Sequence, residues 1–267
     1  MEQLFEELVA WKGAFVLVWF ALFFLAERWR PAAVEPAESA VAGPLPGRWA
    51  RVGRNLALWL ANAGLYPLLV LPVSLAATGF HLGWRPEWWS GWLGLALDLV
   101  LLDLLIYWWH RANHVVPLLW RFHEVHHLDG FLDSSSALRF HFGEVLLSAA
   151  FRAVVIALFD LPIASILVFE TIVLAAAIFH HSNLALPAGL ERSLARLIIT
   201  PSIHWVHHHA VRRDTDSNYG TLFSFWDPLF GSRSPAPRAL DMAIGVERRP
   251  EQGLVHLLIR PFRPRSG

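Results

Sequence analysis

Cysteine is absent from the 267 residues. That removes disulfides, thiolate zinc sites, cysteine-ligated iron–sulfur clusters and thiolate haem, so any bound metal must rest on histidine, carboxylate or backbone oxygen. Lysine is nearly absent, Lys12 standing alone, and only 16% of residues are charged, with a formal net charge of zero. No basic stripe or basic–aromatic module is present, which sets nucleic acid aside as a partner. No G-x-G-x-x-G opens a helix after a strand, so the chain shows no flavin or nicotinamide motif. The N-terminus "MEQLFEELVAWKG" is acidic and lacks the basic region of a signal peptide.

What is abundant is apolar. Hydrophobic residues make up 55% of the chain and the mean hydropathy is +0.41, well above a soluble domain of this length. The run Trp11–Ala26 is near the lower length limit for a spanning helix and ends at "ERWRP", where Arg28 and Arg30 can snorkel and Pro31 stops the helix. Residues 31–47 read as a Pro/Ala/Glu-rich loop. A second apolar segment covers 54–78, with a kink expected near Pro67 and Pro72. The turn "GFHLGWRPEWWSGW" carries the tryptophans of a membrane–water interface. A third span runs from Gly91 to Trp109. Val145–Phe159 and Leu161–Phe179 follow, the first interrupted by Arg152, and read as a tight hairpin that dips into the bilayer.

The expected fold is therefore all-α: an integral membrane bundle of about three spanning helices plus the dipping hairpin, under a histidine-rich helical cap. Arg28, Arg30, Arg48, Arg51 and Arg54 follow the first span, so the positive-inside rule puts that loop in the cytoplasm. Two further crossings and a hairpin that leaves by the face it entered bring every histidine cluster, and the C-terminus, to the same side. Three parts are expected: 1–90, the N-terminal membrane helices and loop; 91–231, a catalytic part; and 232–267, a tail.

Twelve of the fourteen histidines lie between His110 and His209. His110 and His114 are four apart and share a helical face. His123, His126 and His127 stand at i, i+3 and i+4, and His204, His207 and His208 repeat that spacing. Neutral imidazole suits iron, zinc, copper and nickel. Eight imidazoles are too many for one ion and point to a two-metal centre. His141 in "LRFHFGE" and the pair His180–His181 are candidates to complete it, with one of the pair expected to bind. His81, His209 and His256 read as ordinary polar residues. Asp103 continues the stripe of Tyr107, His110 and His114. It is expected to sit behind the ligands and accept an imidazole N–H.

The segments "DLLIYWWHRANH", "WRFHEVHHLD", "ALRFHFGE", "FHHSN", "TPSIHWVHHH" and "NYGTLFSFWDPLFG" occur in an order that resembles the fatty acid hydroxylase/sterol desaturase superfamily, over about residues 95–231. The resemblance implies a membrane-bound non-haem di-iron oxygenase that uses O2 and two external electrons to hydroxylate, or alternatively desaturate, an unactivated C–H bond of a fatty acyl, sterol-like or ether lipid. The implied ligands are His110, His114, His123, His126, His127, His204, His207 and His208, with His181 or His180 added and His141 an open place. Phenylalanine follows His141 where many members carry proline. The implied cofactor is two iron ions, which zinc can replace in a purified sample. The implied partners are a bilayer lipid, O2 and an electron donor of reductase, cytochrome or ferredoxin type. Asn218, Tyr219, Trp226 and Asp227 match the C-terminal signature, as braces of the cap or as substrate contacts.

Two rival readings remain at this level. A histidine-rich metal transporter would spread ionisable groups along a route through both leaflets, whereas here only Asp98 and Asp103 lie deep. A zinc hydrolase needs about three protein ligands and an open position.

Overall fold

The computed structural model describes residues 2–39, 43–44, 47–80 and 82–263; His81 lies outside them. Among the described residues, five helices are long and apolar enough to cross a membrane: Ala10–Trp29, Arg48–Ala77, Gly91–Val115, Phe142–Phe159 and Ile163–His181. The chain is a multi-pass membrane protein. The first belongs to α1 (Glu2–Trp29). The second is built from α2 (Arg48–Leu65), a π-helical turn over Tyr66–Val70, and α3 (Leu71–Ala77). Pro67 removes a backbone donor inside the turn and Pro72 another just beyond it. The wider π turn lets the helix continue past both, which is how the expected kink is realised. The third is α4 (Gly91–Val115) and the last two are α6 (Phe142–Phe159) and α7 (Ile163–His181).

The hairpin of α6 and α7 differs from expectation: both arms are full-length. Asp160, in the left-handed conformation at φ +49°, ends α6. Its carboxylate accepts the backbone N–H groups of Leu82 and Gly83, each at 2.9 Å, and Trp84 Nε1 donates to the Leu158 carbonyl at 2.7 Å. The hairpin tip therefore meets the tryptophan-rich turn at the far end of α3 and α4. The run Val145–Phe159, interrupted by Arg152, reads as short for a full crossing; the helix in fact begins at Phe142 and runs on through Arg152. Asp98 ties the same end together, accepting Arg85 Nη2, Trp89 Nε1 and Ser165 Oγ at 2.6 to 2.9 Å. Above it Leu102, Val155, Ile156, Ile166 and Phe169 form an apolar core between α4, α6 and α7.

The opposite end carries the cap. It comprises α5 (Pro117–His127), a 3-10 turn at Ser134–Leu138, α8 (Ala188–Leu194), α9 (Pro201–His207), α10 (Arg212–Thr215), α11 (Trp226–Leu229) and α12 (Leu254–Ile259). Pro117 and Pro201 open α5 and α9, where a missing N–H costs nothing. Beneath the cap lies a buried ionic net. Arg51 pairs with Asp133, with Asp129 at 3.3 Å and with Glu35 at 3.0 Å, and Asn55 donates to Asp129 at 2.9 Å. Burial alone would push the Asp129 carboxyl up, but the charges of Arg51 and Arg139 hold it below its ordinary value. The tail is locked in as well: Glu251 receives Arg139 at 3.0 Å, Arg260 reaches Glu124 at 3.0 Å, and Leu257 is fully buried against Leu58, Val125 and Leu128.

Candidate metal centre

The histidines converge at the cap end of α4 and α7. Two groups form. His110, His114, His123, His127 and His207 make one, and His126, His181, His204 and His208 the other; within each, one nitrogen per ring lies within 4.8 Å of all the rest. Each HxxHH segment is divided between them. A residue i+4 along a helix returns to within about 40° of the starting direction, while i+3 stops about 60° short of it on the other side. So His123 and His127 enter the group of five and His126 the group of four. On α9 the assignment reverses: His204 and His208 join the four and His207 the five.

Outside the groups, acceptors fix the rings. His110 Nδ1 donates to the Tyr219 carbonyl at 2.8 Å, His126 Nδ1 to Arg139 at 3.1 Å, His181 Nδ1 to Ala177 at 2.8 Å and His207 Nδ1 to Ser217 at 2.6 Å. A carbonyl cannot donate, so each of these Nδ1 atoms carries the proton and each Nε2 turns a lone pair inward. His123 Nδ1 meets Glu144 Oε1 at 2.8 Å.

The inward atoms lack protein partners that could satisfy them. His126 and His181 are both committed through Nδ1, yet their Nε2 atoms stand 3.1 Å apart, lone pair against lone pair. His204 Nε2 lies 2.9 Å from His181 Nε2 and 3.1 Å from His208 Nε2. Both nitrogens of His114, and Nε2 of His207, are buried without a hydrogen bond. Nitrogens sharing a metal at a bond length of about 2.1 Å stand roughly 3.0–3.4 Å apart. The donor set and spacing fit a cation in each group. Burial, and then neighbouring imidazoles, push the pKa values of His126, His127, His204, His207 and His208 well below the usual histidine value, so these rings are neutral and able to ligate at pH 7.

Three candidates stand elsewhere. His141 caps α6, accepting the Gly143 N–H at Nδ1 (2.9 Å) and donating from Nε2 to the Leu258 carbonyl (3.0 Å), so neither nitrogen is free. His180 is buried with its ring 4.1 Å from that of His204, outside both groups. Among the described residues, Asp103 hydrogen-bonds to no imidazole. It accepts the N–H groups of Leu222 (3.2 Å) and Phe223 (3.1 Å) and the indole of Trp226 (2.8 Å). Its place on the histidine stripe is real, but the loop after α10 comes between and takes its oxygens. That loop also carries the Tyr219 carbonyl that His110 donates to, so Asp103 and His110 hold the same stretch of backbone. The signature residues brace it further. Asn218 donates to Ile203 O, and Asp227 accepts the N–H groups of Tyr219 (2.8 Å) and Gly220 (3.0 Å). Gly220 has no room for a side chain, since a Cβ would sit 2.7 Å from Ile199 Cδ1. His209 pairs with Asp214 at 2.8 Å, and His256 is exposed on α12.

Sequence reasoning passed over Glu144, although it stands in the quoted "LRFHFGE". A carboxylate heading an apolar helix was the available signal. A cavity of about 540 Å³ opens beneath the groups, touching His110, His123, His126, His181 and His204 and walled by Trp59, Trp109, Phe169, Val173 and Leu174. Such a chamber can hold a long apolar molecule against the histidines.

The sequence profile of the fatty acid hydroxylase family matches residues 95–232, just over half of the chain. An ornithine lipid hydroxylase, OlsE, from Rhizobium tropici is 29% identical over 74% of this chain and 59% of its own length. The alkylglycerol monooxygenase of Homo sapiens is 31% identical over 57% of this chain and 32% of its own. The cholesterol 25-hydroxylase of Rattus norvegicus is 32% identical over 60% and 54%. The chain thus spans less than two thirds of the length of these relatives. No solved structure matches it.

Proposed function

Because the chain belongs to the fatty acid hydroxylase family, we propose that it is a membrane-bound oxygenase that hydroxylates an unactivated C–H bond of a bilayer lipid, using O2 and two electrons from an external donor. The observation that carries this reading is the pair of histidine groups at the mouth of an apolar cavity. All three relatives named above are hydroxylases or monooxygenases. His110, His114, His123, His127 and His207 would hold one iron, and His126, His181, His204 and His208 the other. Two irons so held supply the redox chemistry that O2 activation requires, which zinc cannot.

The chain's own residues do the rest. Carbonyls of Arg139, Ala177, Ser217 and Tyr219 hold the rings in one tautomer, so no proton competes for the inward nitrogens. The cavity wall excludes water and lays an apolar chain beside the centre. Residues 91–231 are the catalytic part, with α1 and α2 adding wall. The histidine end faces the cytoplasm in this reading, since Arg28, Arg30, Arg48, Arg51 and Arg54 gather there. A soluble or membrane-bound reductase, cytochrome or ferredoxin can then reach it from water.

The test is elemental analysis of detergent-purified protein from iron-supplemented cells, followed by incubation with membrane lipid extract, a reducing system and ¹⁸O₂. About two irons per chain and a labelled hydroxylated lipid are expected. Folded protein with less than one metal of any kind would sink the reading.

A further inference from the structure

The cavity has a second polar end. Glu170 sits eleven residues before His181 on α7, about 16 Å along the helix axis at 1.5 Å per residue. Its carboxylate accepts Lys12 Nζ at 3.0 Å and the Tyr66 hydroxyl at 2.5 Å, and pairs with Arg152 Nη1 at 3.3 Å. The four residues come from α1, the π turn, α6 and α7, and all line the cavity. Each lies within a segment apolar enough to cross a membrane. There an ionisable group is costly and is by default a candidate for function.

The charges do not balance. Two cations face one carboxylate, leaving a formal net charge of +1, although one cation would have neutralised Glu170. The hydrogen bonds do not balance either. Lys12 has three donors and, among the described residues, hydrogen-bonds to Glu170 with one of them. Arg152 Nε is buried without a partner. The cluster therefore has surplus N–H donors, and a second acceptor bearing negative charge would satisfy them. Lys12 also lines a separate apolar groove of about 660 Å³ between α1 and α7, with Phe15, Trp19 and Thr171. The cluster can thus be reached from the lipid side.

We propose that Lys12 and Arg152 bind the anionic oxygens of an amphipathic lipid whose chain runs along the cavity to the histidines. Glu170 holds the two cations in place with Tyr66 donating to it, and the surplus positive charge disfavours a cationic headgroup. The substrate is then held by its polar end, and the length between that end and the histidines selects the carbon presented. The last clause rests on the oxygenase reading; the binding of an anionic lipid does not.

Equilibrium binding of radiolabelled myristic acid and of myristyl alcohol to the detergent-solubilised protein tests it, the chain being comparable in length to the span of about 16 Å. The acid is expected to bind at least tenfold more tightly than the alcohol. Lys12→Gln and Arg152→Gln should each weaken the acid by roughly tenfold, the worth of one charged hydrogen bond, and leave the alcohol unchanged. If Arg152→Gln does not fold, Lys12→Gln carries the test. Myristyl phosphate binding more tightly than the acid would support the proposal and make phosphate the anion. Equal binding of acid and alcohol, or wild-type acid binding by Lys12→Gln, would overturn it. Because the readout is not turnover, a protein that prefers the acid and oxidises nothing refutes the oxygenase reading alone. One that hydroxylates lipid without preferring an anion refutes only the anchor.

Discussion

On α5, His123 and His127 face the group of five while His126 faces the group of four; on α9 and its cap, His204 and His208 face the four while His207 faces the five. The spacing is identical and the division is mirrored. Each segment therefore spans both groups instead of serving one, and neither helix can shift without disturbing both. The two also differ in support. α5 has eleven residues, whereas α9 has seven, with His208 already at its cap. His123 leans on a side-chain carboxylate, while His207 leans on a carbonyl.

The largest effect expected from breaking this arrangement comes at the crossing members. His126→Ala leaves three rings in the group of four, and should cut lipid hydroxylation more than 100-fold and bring metal content from about two to about one per chain. His207→Ala leaves four rings in the other group, so it should lower activity but retain more metal. Equal metal loss in both variants would show that the groups do not bind independently. Glu144→Gln keeps an acceptor for His123 but removes its charge. About a tenfold loss of metal affinity is expected, measured by competition with a chelator, against no change in a variant of the tail such as Arg263→Gln.

A smaller effect separates the metal-free chain from the loaded one. His126, His127, His204, His207 and His208 have folded pKa values well below the ordinary value of 6.5. Below about pH 6.5 the unfolded chain takes up protons that the folded chain refuses, so stability falls as pH falls. The thermal midpoint of metal-free protein in detergent should drop by several degrees between pH 7.5 and pH 5.5. An unchanged midpoint would mean the rings are hydrated. The smallest effect belongs to His256→Ala, which should leave activity and metal content unaltered, because His256 is exposed on α12, outside both groups.

Much of this was readable from spacing. Apolar runs located the membrane helices, and the i, i+3, i+4 intervals set directions around each helix axis. What spacing does not contain is the neighbour in that direction. Asp103 lies on the histidine stripe, yet the loop carrying Leu222 and Phe223 claims it, from 119 and 120 residues away. Lys12 and Arg152 looked like isolated charges in apolar sequence; Glu170, 158 residues from Lys12, gathers both. Nor did the length of the 145–159 run reveal that its helix starts at Phe142 and reaches the tryptophan-rich turn.

The carbonyl partners of the rings have a consequence for how such a centre varies. Arg139, Ala177, Ser217 and Tyr219 hold four imidazoles through their main chain, and every amino acid possesses a carbonyl. Replacing those side chains leaves the ring partners in place, so the tautomer and basicity of these four imidazoles are insulated from ordinary mutation. His123 differs, because its partner is the side chain of Glu144. Through that contact a single codon change at position 144 would retune the basicity of His123 without altering any histidine, and with it the affinity for whatever cation the ring would hold.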